Sequence, residues 1–290
     1  MKKLLALGGQ RQLRELAQQV QDLHDYELTV ASYKNLEFYI QGSRTSITVE
    51  GIDITTFDFV WIHSSWAPRP IAHAVALFLT HKNIPHTPVE VQGSKLSDIL
   101  ALTFMNVPIP KTYYANTLII KDCLASIVRF CKYPFIIKST SGRGGNDMFL
   151  IRNELEFNEA LGALTQKGTY ICQSFIPNDF DYRVIIGHGK MLSAEKRTRQ
   201  PGEYRNNACL GATENFMKSG ELPQLVHKMA HDSSASLSLN WSGVDIVTST
   251  KTGKNFVLEV NRNPGLTRGS TEMSAALSHM SHLLSDVKVN

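Results

Sequence analysis

The chain has 290 residues, a net charge of +4 at neutral pH and 42% hydrophobic residues. This length and composition are typical of a fully folded protein with a sizeable core, divided into two or three α/β lobes. No apolar run reaches membrane-spanning length, so we expect no membrane partner. The mild positive charge, without a block of Lys or Arg, is weak evidence for nucleic-acid binding, although it would help to attract nucleotide phosphates.

The cysteines indicate a compartment rather than a metal site. Cys123, Cys131, Cys172 and Cys209 show no paired metal-ligand spacing. Scattered cysteines in a chain of this length are typical of a reducing environment. The apolar start of the chain is too short for a signal peptide and is better interpreted as a first buried strand. We therefore expect a cytoplasmic protein.

Apolar periodicity predicts alternating strands and helices over residues 1–92. The predicted elements are strands at 4–7, 28–32 and 57–62, helices at 11–23 and 71–81, and an antiparallel addition at 46–54. Gly8-Gly9 is a turn signal and lacks the spacing of a dinucleotide-binding fingerprint. We predict a small Rossmann-like lobe and assign it no dinucleotide.

Two further lobes are predicted, at residues 93–176 and 177–290. The central lobe combines helices at 95–105, 118–130 and 154–164 with strands at 111–115, 134–138, 148–152 and 170–175. Ser94 is placed to cap the first of these helices. The last lobe contains a hairpin at 181–196, a polar loop at 198–213, a helix at 222–239, a second hairpin and a helix at 272–284. This order predicts a mixed α+β arrangement with antiparallel sheets.

The second hairpin carries Asp245, Glu259 and Asn261 on two apolar runs joined by a polar turn. If the runs pair, period-2 alternation points Glu259 and Asn261 to one face, and Asp245 can lie opposite them. Two carboxylates and an amide oxygen suit a hard cation, and Mg²⁺ on so sparse a site usually carries substrate phosphates. The alternative is a surface hairpin whose acids are merely solvated.

A second motif is a strand that ends at Lys138 and leads into Ser-Thr-Ser-Gly-Arg-Gly-Gly-Asn. Gly142, Gly144 and Gly145 would let backbone N–H groups approach phosphates, and the lysine would supply a point charge. The Gly-Lys-Ser/Thr end of a Walker loop is missing, and a strand follows the glycines. An ordinary flexible hairpin loop is the alternative.

The succession of these motifs resembles the ATP-grasp superfamily, and within it the RimK-like ligases, which join amino acids to carboxylates of proteins, peptides or small molecules. The resemblance covers roughly residues 90 to 290, and its most specific part is the Asp…Glu-x-Asn-x-x-Pro-Gly ending. It implies an α/β (α+β) protein with the ATP-grasp fold, preceded by a Rossmann-like pre-ATP-grasp lobe.

The resemblance also implies roles for individual residues. Contacts to ATP are implied for Lys95, Lys138, Gly142, Gly144, Gly145, Gln173, Ser174, Phe175 and Asp181, with residues 173–175 along the adenine and Asp181 at the ribose. Arg183, Arg205 and Asn207 would surround the γ-phosphate and the acyl phosphate made from it. Asp245, Glu259 and Asn261 would bind two Mg²⁺ ions, with Mn²⁺ as an alternative. Ser174 departs from the family, where Glu is common, which puts the adenine contact in question.

The expected function is ATP-dependent amide formation between a carboxylate on a peptide, protein or small molecule and an amine or amino acid. A kinase on the same nucleotide site and a nucleotide-binding regulatory module without turnover are the alternatives. Arg197 and Arg199 suit a solvated basic edge nearly as well as substrate binding, and Arg268 either grips a substrate carboxylate or is simply exposed. Relatives are often assemblies, so we expect a homo-oligomer.

Overall fold

The computed structural model describes residues 1–9, 11–23, 26–41, 44–64, 68–90, 93–141, 148–165, 168–218 and 220–285. Gly142, Gly144 and Gly145, the predicted phosphate-loop glycines, lie outside the described residues. No helix in the described ranges is long and apolar enough to span a membrane.

The strands are β1 (Lys2–Leu7), β2 (Tyr26–Ala31), β3 (Leu36–Gln41), β4 (Arg44–Val49), β5 (Ile52–Asp53), β6 (Phe59–Ile62), β7 (Thr112–Tyr114), β8 (Phe135–Ser139), β9 (Met148–Ile151), β10 (Tyr170–Ser174), β11 (Phe180–Gly187), β12 (Lys190–Thr198), β13 (Thr213–Phe216), β14 (Trp241–Thr248) and β15 (Asn255–Asn261). The helices are α1 (Arg11–Leu23), α2 (Arg69–His81), α3 (Lys95–Phe104), α4 (Leu124–Cys131), α5 (Glu154–Ala163), α6 (Gln224–Ser236) and α7 (Thr271–Ser285).

The first sheet is parallel, in the order β2-β1-β6. Because successive side chains of a strand point to opposite faces, Leu4 of β1 packs with the α1 residues Leu13 and Leu16, whereas Leu5 packs with Val75 of α2. Met280 of α7 belongs to the same cluster as Leu4. Helix α7 packs on β11, β12 and α1, and the ring centroid of its His279 lies 4.9 Å from that of Trp61 in β6.

A separate antiparallel sheet, in the order β3-β4-β5, follows β2. The predicted addition at 46–54 covers parts of β4 and β5, but no strand was predicted at β3. The reason is that Phe38, Tyr39 and Ile40 run consecutively without alternation, and all three are exposed.

The central sheet is antiparallel, in the order β7-β10-β8-β9. Ile127 of α4 and Phe157 of α5 pack on Phe135 of β8. The predicted helix at 118–130 is shorter than expected, because the Asn116 side chain accepts the N–H of Leu118 at 2.9 Å and holds a turn there. The α-helix begins only at Leu124, after a 3₁₀ turn.

The largest sheet is antiparallel, in the order β13-β12-β11-β14-β15. One face buries Val184, Ile186 and Val244 against α6. Alternation then places Asp181 and Arg183 of β11 on the opposite, polar face. The helix predicted at 222–239 ends at Ser236, since Ser238 adopts a left-handed backbone with φ of 52°.

Candidate active site

The polar face of the largest sheet aligns charged residues from four neighbouring strands. In register across the sheet lie Glu195 of β12, Arg183 of β11, Asp245 of β14 and Glu259 of β15. Asn261 follows two residues after Glu259 and projects to the same side. The predicted pairing of the second hairpin is confirmed, with an irregularity in register just after Asp245.

Asp245 is held by two guanidinium groups. Arg183 donates to it bidentately, with Nε–Oδ1 and Nη2–Oδ2 distances of 2.9 and 3.0 Å, and Nη2 of Arg197 lies 3.2 Å from Oδ1. Burial alone would raise the pKa of Asp245, but the two arginines outweigh it and hold the pKa at about 2. The Asp245 carboxylate is therefore ionised throughout the physiological range.

Arg197 is a buried structural cation and does not form a solvated basic edge. Its side chain is 1% exposed and donates to both oxygens of Asp181, at 2.8 and 2.6 Å. Burial raises the pKa of Asp181 to about 6 despite this partner. Asp181, expected at a ribose, lines the cavity with both oxygens already engaged.

Two lysines approach the same row from other elements. Lys95, at the start of α3, places Nζ 3.2 Å from Oε1 of Glu259, and Lys138 of β8 donates to the carbonyl of Leu258 at 3.3 Å. Burial, followed by the nearby charge of Lys95, lowers the pKa of Lys138 to about 8. A bound anion would favour the charged form of this lysine.

The residues predicted at the adenine line the same cavity, but several of their polar groups are used internally. Gln173 donates to Thr112 Oγ1 at 2.9 Å, and the Ser174 hydroxyl donates to the Cys131 carbonyl at 2.8 Å. The N–H groups of Ser174 and Phe175 bond to main-chain carbonyls at 2.9 and 3.2 Å. An adenine here would therefore compete with internal hydrogen bonds for these donors.

The predicted loop residues Arg205 and Asn207 line the cavity as well. Arg205 donates to both oxygens of Glu203, at 2.9 and 2.8 Å, and lies 5.1 Å from the Tyr204 ring centroid. Tyr204 donates to the Met148 carbonyl at 2.9 Å and so ties the loop to the central sheet. Glu203 and Tyr204 were not predicted from the sequence.

Arg268, by contrast, lies outside the cavity lining and is 79% exposed at its side chain. Its Nε lies 2.8 Å from Oε2 of Glu15 on α1. Arg199 donates to the Asn178 carbonyl and pairs with Asp179 at 3.7 Å. All three contacts are made to residues of the same chain.

All the predicted site residues within the described ranges surround one cavity of about 640 Å³, a volume in the usual range for small-molecule sites. A model of the RimK-like ATP-grasp domain matches residues 95–280. The chain belongs to the RimK-like ATP-grasp family.

Curated relatives of this RimK-like chain carry the name probable alpha-L-glutamate ligase. The protein from Vibrio atlanticus is 30% identical over 176 residues, covering 59% of this chain and 56% of its own length. The protein from Teredinibacter turnerae is 23% identical over 273 residues, covering 90% of this chain and 85% of its own. The first of these alignments spans little more than half of the relative.

Solved structures show the same fold at low sequence identity. D-alanyl-alanine synthetase A from Vibrio cholerae aligns with a TM-score of 0.73 at 13% identity, over 100% of this chain and 99% of that one. An ATP-grasp RimK domain protein from Sphaerobacter thermophilus aligns with a TM-score of 0.68 at 15% identity, over 96% and 99%. The ATP-grasp ligase PsnB, complexed with minimal precursor, Mg and ADP, gives 0.62 at 13% identity, over 97% and 98%.

The donor set of this RimK-like site fits a hard divalent cation. Asp245, Glu259 and Asn261 offer only oxygen ligands, and Asp245 is fully ionised. Asn261 donates Nδ2 to Asp245 Oδ2 at 3.3 Å, so its carbonyl oxygen is the atom left for a ligand. In the described part of the chain, no three His, Cys, Asp or Glu side chains lie together so that they could hold a metal ion. The set described above is of a different kind, because it has two acids and its third ligand is an amide.

Three consecutive residues of the motif reach three different parts of the molecule. Asn261 bonds to Asp245, and Arg262 bonds to Glu90, in the segment between α2 and α3, and to Asp98 of α3. Asn263 Oδ1 lies 3.1 Å from Nδ1 of His63, just after β6. Arg262 is bidentate to Glu90, at 2.5 and 2.7 Å, and to Asp98, at 2.7 and 3.0 Å. Arg262 is the charged residue inside the Glu-x-Asn-x-x-Pro-Gly motif, and its ion pairs were not predicted from the sequence.

We expect Arg262→Met to lower the free energy of unfolding by about 2 to 3 kcal/mol, because it leaves two carboxylates without their shared cation in a largely buried position. Urea unfolding followed by circular dichroism measures this. The control is Arg152→Met, which removes an exposed pair with Glu156 and should cost under about 1 kcal/mol. Equal losses of unfolding free energy in the two variants would show that the Arg262 ion pairs do not stabilise the fold.

Glu195 and Glu272 are two buried acids beside the arginines, each 1% exposed. Neither carboxylate oxygen of Glu195 has a hydrogen-bond partner among the described residues, while Glu272 accepts from the Thr267 N–H at 2.7 Å. Burial, and then the charge of Glu272, raises the pKa of Glu195 to about 8. Glu195 is therefore protonated at neutral pH in the folded chain.

This protonation predicts a pH effect on stability. The unfolded chain releases the proton near 4.5 and the folded chain only near 8, so the folded state loses stability as pH rises between these values. We expect Glu195→Gln to match the wild type near pH 4.5 and to exceed it by about 4 kcal/mol in unfolding free energy at pH 8. Urea denaturation at both pH values measures this. Glu159→Gln, on the exposed face of α5, should show no such divergence, and parallel curves for Glu195→Gln would refute the prediction.

Proposed function

We propose that this RimK-like protein is an ATP-dependent carboxylate–amine ligase that forms an amide bond through an acyl phosphate. The observation that carries the proposal is the meeting of Lys95, Lys138 and Arg183 with the Asp245, Glu259 and Asn261 oxygens around one cavity. This arrangement supplies cations for a triphosphate and a hard-metal site beside them. The proposal rests on that geometry and on family membership.

Each part of the cavity receives a proposed task. Lys95 and Lys138, with Gly142, Gly144 and Gly145, contact the ATP phosphates, and residues 173–175 and Asp181 hold the nucleoside. Arg183, Arg205 and Asn207 surround the phosphoryl group during transfer. Two Mg²⁺ ions bound by Asp245, Glu259 and Asn261 would neutralise phosphate charge and orient the triphosphate.

The proposed reaction has two steps. A substrate carboxylate oxygen attacks the γ-phosphorus, the bond to the β–γ bridging oxygen breaks, and ADP leaves. The amine nitrogen then attacks the acyl carbon, loses a proton, and inorganic phosphate departs. Phosphorylation is needed because the oxygen of a free carboxylate is a poor leaving group. The contribution of the protein is to position the reactants and to stabilise charge as it develops.

The proposed co-substrates are an amino acid as the amine and a peptide, protein or small-molecule carboxylate as the acceptor. L-glutamate is the first amine to test, since curated relatives are named for its ligation. Arg197, Arg199 and Arg268 each pair with an acidic residue of the protein itself, so they give no reason to prefer an acidic acceptor.

The test incubates the full chain with MgATP, a library of short peptides and L-glutamate, and follows ADP, phosphate and product mass. The proposal predicts a product heavier by one glutamyl residue, with one ADP and one free phosphate for each bond. A product that keeps the phosphate would identify a kinase instead. Absence of any ADP formation with the library and amino-acid mixtures would contradict the proposal.

A further inference from the structure

The β3 strand leaves an apolar edge open to solvent. It is the end strand of the β3-β4-β5 sheet, and within the described ranges no strand pairs with its outer side. Phe38, Tyr39 and Ile40 are 37%, 56% and 73% exposed. Three consecutive exposed large side chains on an unpaired edge are unusual for a chain that acts alone.

The register of β3 with β4 shows which backbone groups face outward. At one end of the ladder, next to the Leu36–Val49 pair, the N–H of Glu50 donates to the Asn35 carbonyl at 3.3 Å, so Asn35 bonds towards β4. Hydrogen-bonded and non-hydrogen-bonded pairs alternate along an antiparallel ladder, so Tyr39 also bonds to β4. The N–H and C=O groups of Phe38 and Ile40 therefore point to the free edge.

Nothing within β3 protects this edge. Natural edge strands usually carry lysine, proline or a bulge, and β3 contains no Lys or Pro and pairs with β4 without a register shift. Its one charge, on Glu37, already accepts the Tyr39 hydroxyl at 3.0 Å. The strand therefore presents little resistance to a further strand.

We propose that the β3 strand of a second copy of this chain covers the edge, in an antiparallel pair with its two-fold axis at Phe38. The argument is the near-palindromic order of residues 35–41 around that position. Across the axis the opposed pairs are Asn35 with Gln41, Leu36 with Ile40, Glu37 with Tyr39, and Phe38 with itself. Amide meets amide, apolar meets apolar, and the carboxylate meets a hydroxyl rather than a second carboxylate. Such self-complementarity is what an isologous interface requires.

The pairing joins two three-stranded sheets into one of six strands, in the order β5-β4-β3-β3-β4-β5. No residue of β3 lines the catalytic cavity, so the cavity stays accessible in the dimer. The inference is therefore independent of the proposed ligase activity. An extended peptide laid on this edge is the competing occupant, but it gives no reason for the palindromic order.

Light scattering coupled to gel filtration, from about 1 to 100 µM protein, tests the proposal. The expected mass for wild type is twice the chain mass of 32.4 kDa. Ile40→Lys should behave as a monomer, with the dimer Kd raised on the order of 100-fold because the change enters the interface twice. The matched control is Leu155→Lys on α5, 68% exposed against 73% for Ile40, which should stay dimeric.

Circular dichroism confirms folding, and Phe38→Lys provides a second variant with two lysines facing each other at the axis. A wild type that is monomeric at every concentration would overturn the proposal. So would dimers of Ile40→Lys and Phe38→Lys that are as stable as the wild-type dimer. A monomer whose amides at 36–41 gain hydrogen-exchange protection only on addition of peptide would assign the edge to the peptide instead.

Discussion

Asp245→Asn is expected to lower kcat for ATP-dependent ligation on the order of 10³-fold, the upper end of what removing one preorganised charge stabiliser costs. The substitution keeps the shape of the side chain but removes the charge that would hold Mg²⁺. Arg183 would also face an amide in place of an ionised partner. Initial rates of ADP release at saturating MgATP measure the effect.

The control for Asp245→Asn is Asp179→Asn, which makes the same change at a side chain that is 75% exposed. That variant should keep the wild-type rate. Arg197 keeps its ion pair with Asp181 when Asp245 is neutralised, so we expect Asp245→Asn to fold. Thermal unfolding checks this for both variants. A folded Asp245→Asn protein with more than a tenth of the wild-type rate would show that Asp245 does not hold the metal.

Arg197→Met is expected to lower the free energy of unfolding by about 3 to 5 kcal/mol, the usual cost of breaking a buried ion pair from one side. Asp181 is 3% exposed and would lose the donor to both of its oxygens. The loss should shrink as pH falls from 8 towards about 6, because without Arg197 the buried Asp181 takes up a proton above its wild-type pKa of about 6 and then tolerates burial without a cation. Urea unfolding at pH 5 and pH 8 measures both effects.

Lys196→Met is the neighbouring control for Arg197→Met. Its Nζ lies 3.8 Å from the Phe180 ring centroid, on the other face of β12, and its loss should cost under about 1 kcal/mol at either pH. An Arg197→Met protein as stable as this control would mean that the buried pair contributes nothing, and that the acids on this face are balanced elsewhere.

The sequence predicted the pairing of the second hairpin well because the information for it is local. Period-2 alternation puts Glu259 and Asn261 on one face, and the pairing of two strands adjacent in sequence brings Asp245 opposite Glu259, although the register shifts just after Asp245. The boundaries of α4 and α6 were less accurate, since an Asn116 turn and a left-handed Ser238 decide them. β3 was missed because its apolar residues do not alternate.

At the site, the residues whose roles were predicted wrongly or missed are those whose ion-pair partners are distant in the sequence. Arg197 looked like part of a basic run, but register brings it opposite Asp181, where burial makes it structural. The partners of Arg262 lie 172 and 164 residues away, so no local pattern could reveal them. Ser174 departed from its family pattern, and the structure shows its hydroxyl bonded to the Cys131 carbonyl.

If the cavity activates a carboxylate by phosphorylating it, an oxygen atom of that carboxylate must pass to the phosphate released, and isotope transfer detects this. The acceptor found in the library screen is labelled with ¹⁸O in its carboxylate and converted to product with MgATP and the amine. We expect one ¹⁸O atom in each inorganic phosphate released, detected by mass spectrometry. Unlabelled phosphate, or label found in AMP, would contradict activation through an acyl phosphate.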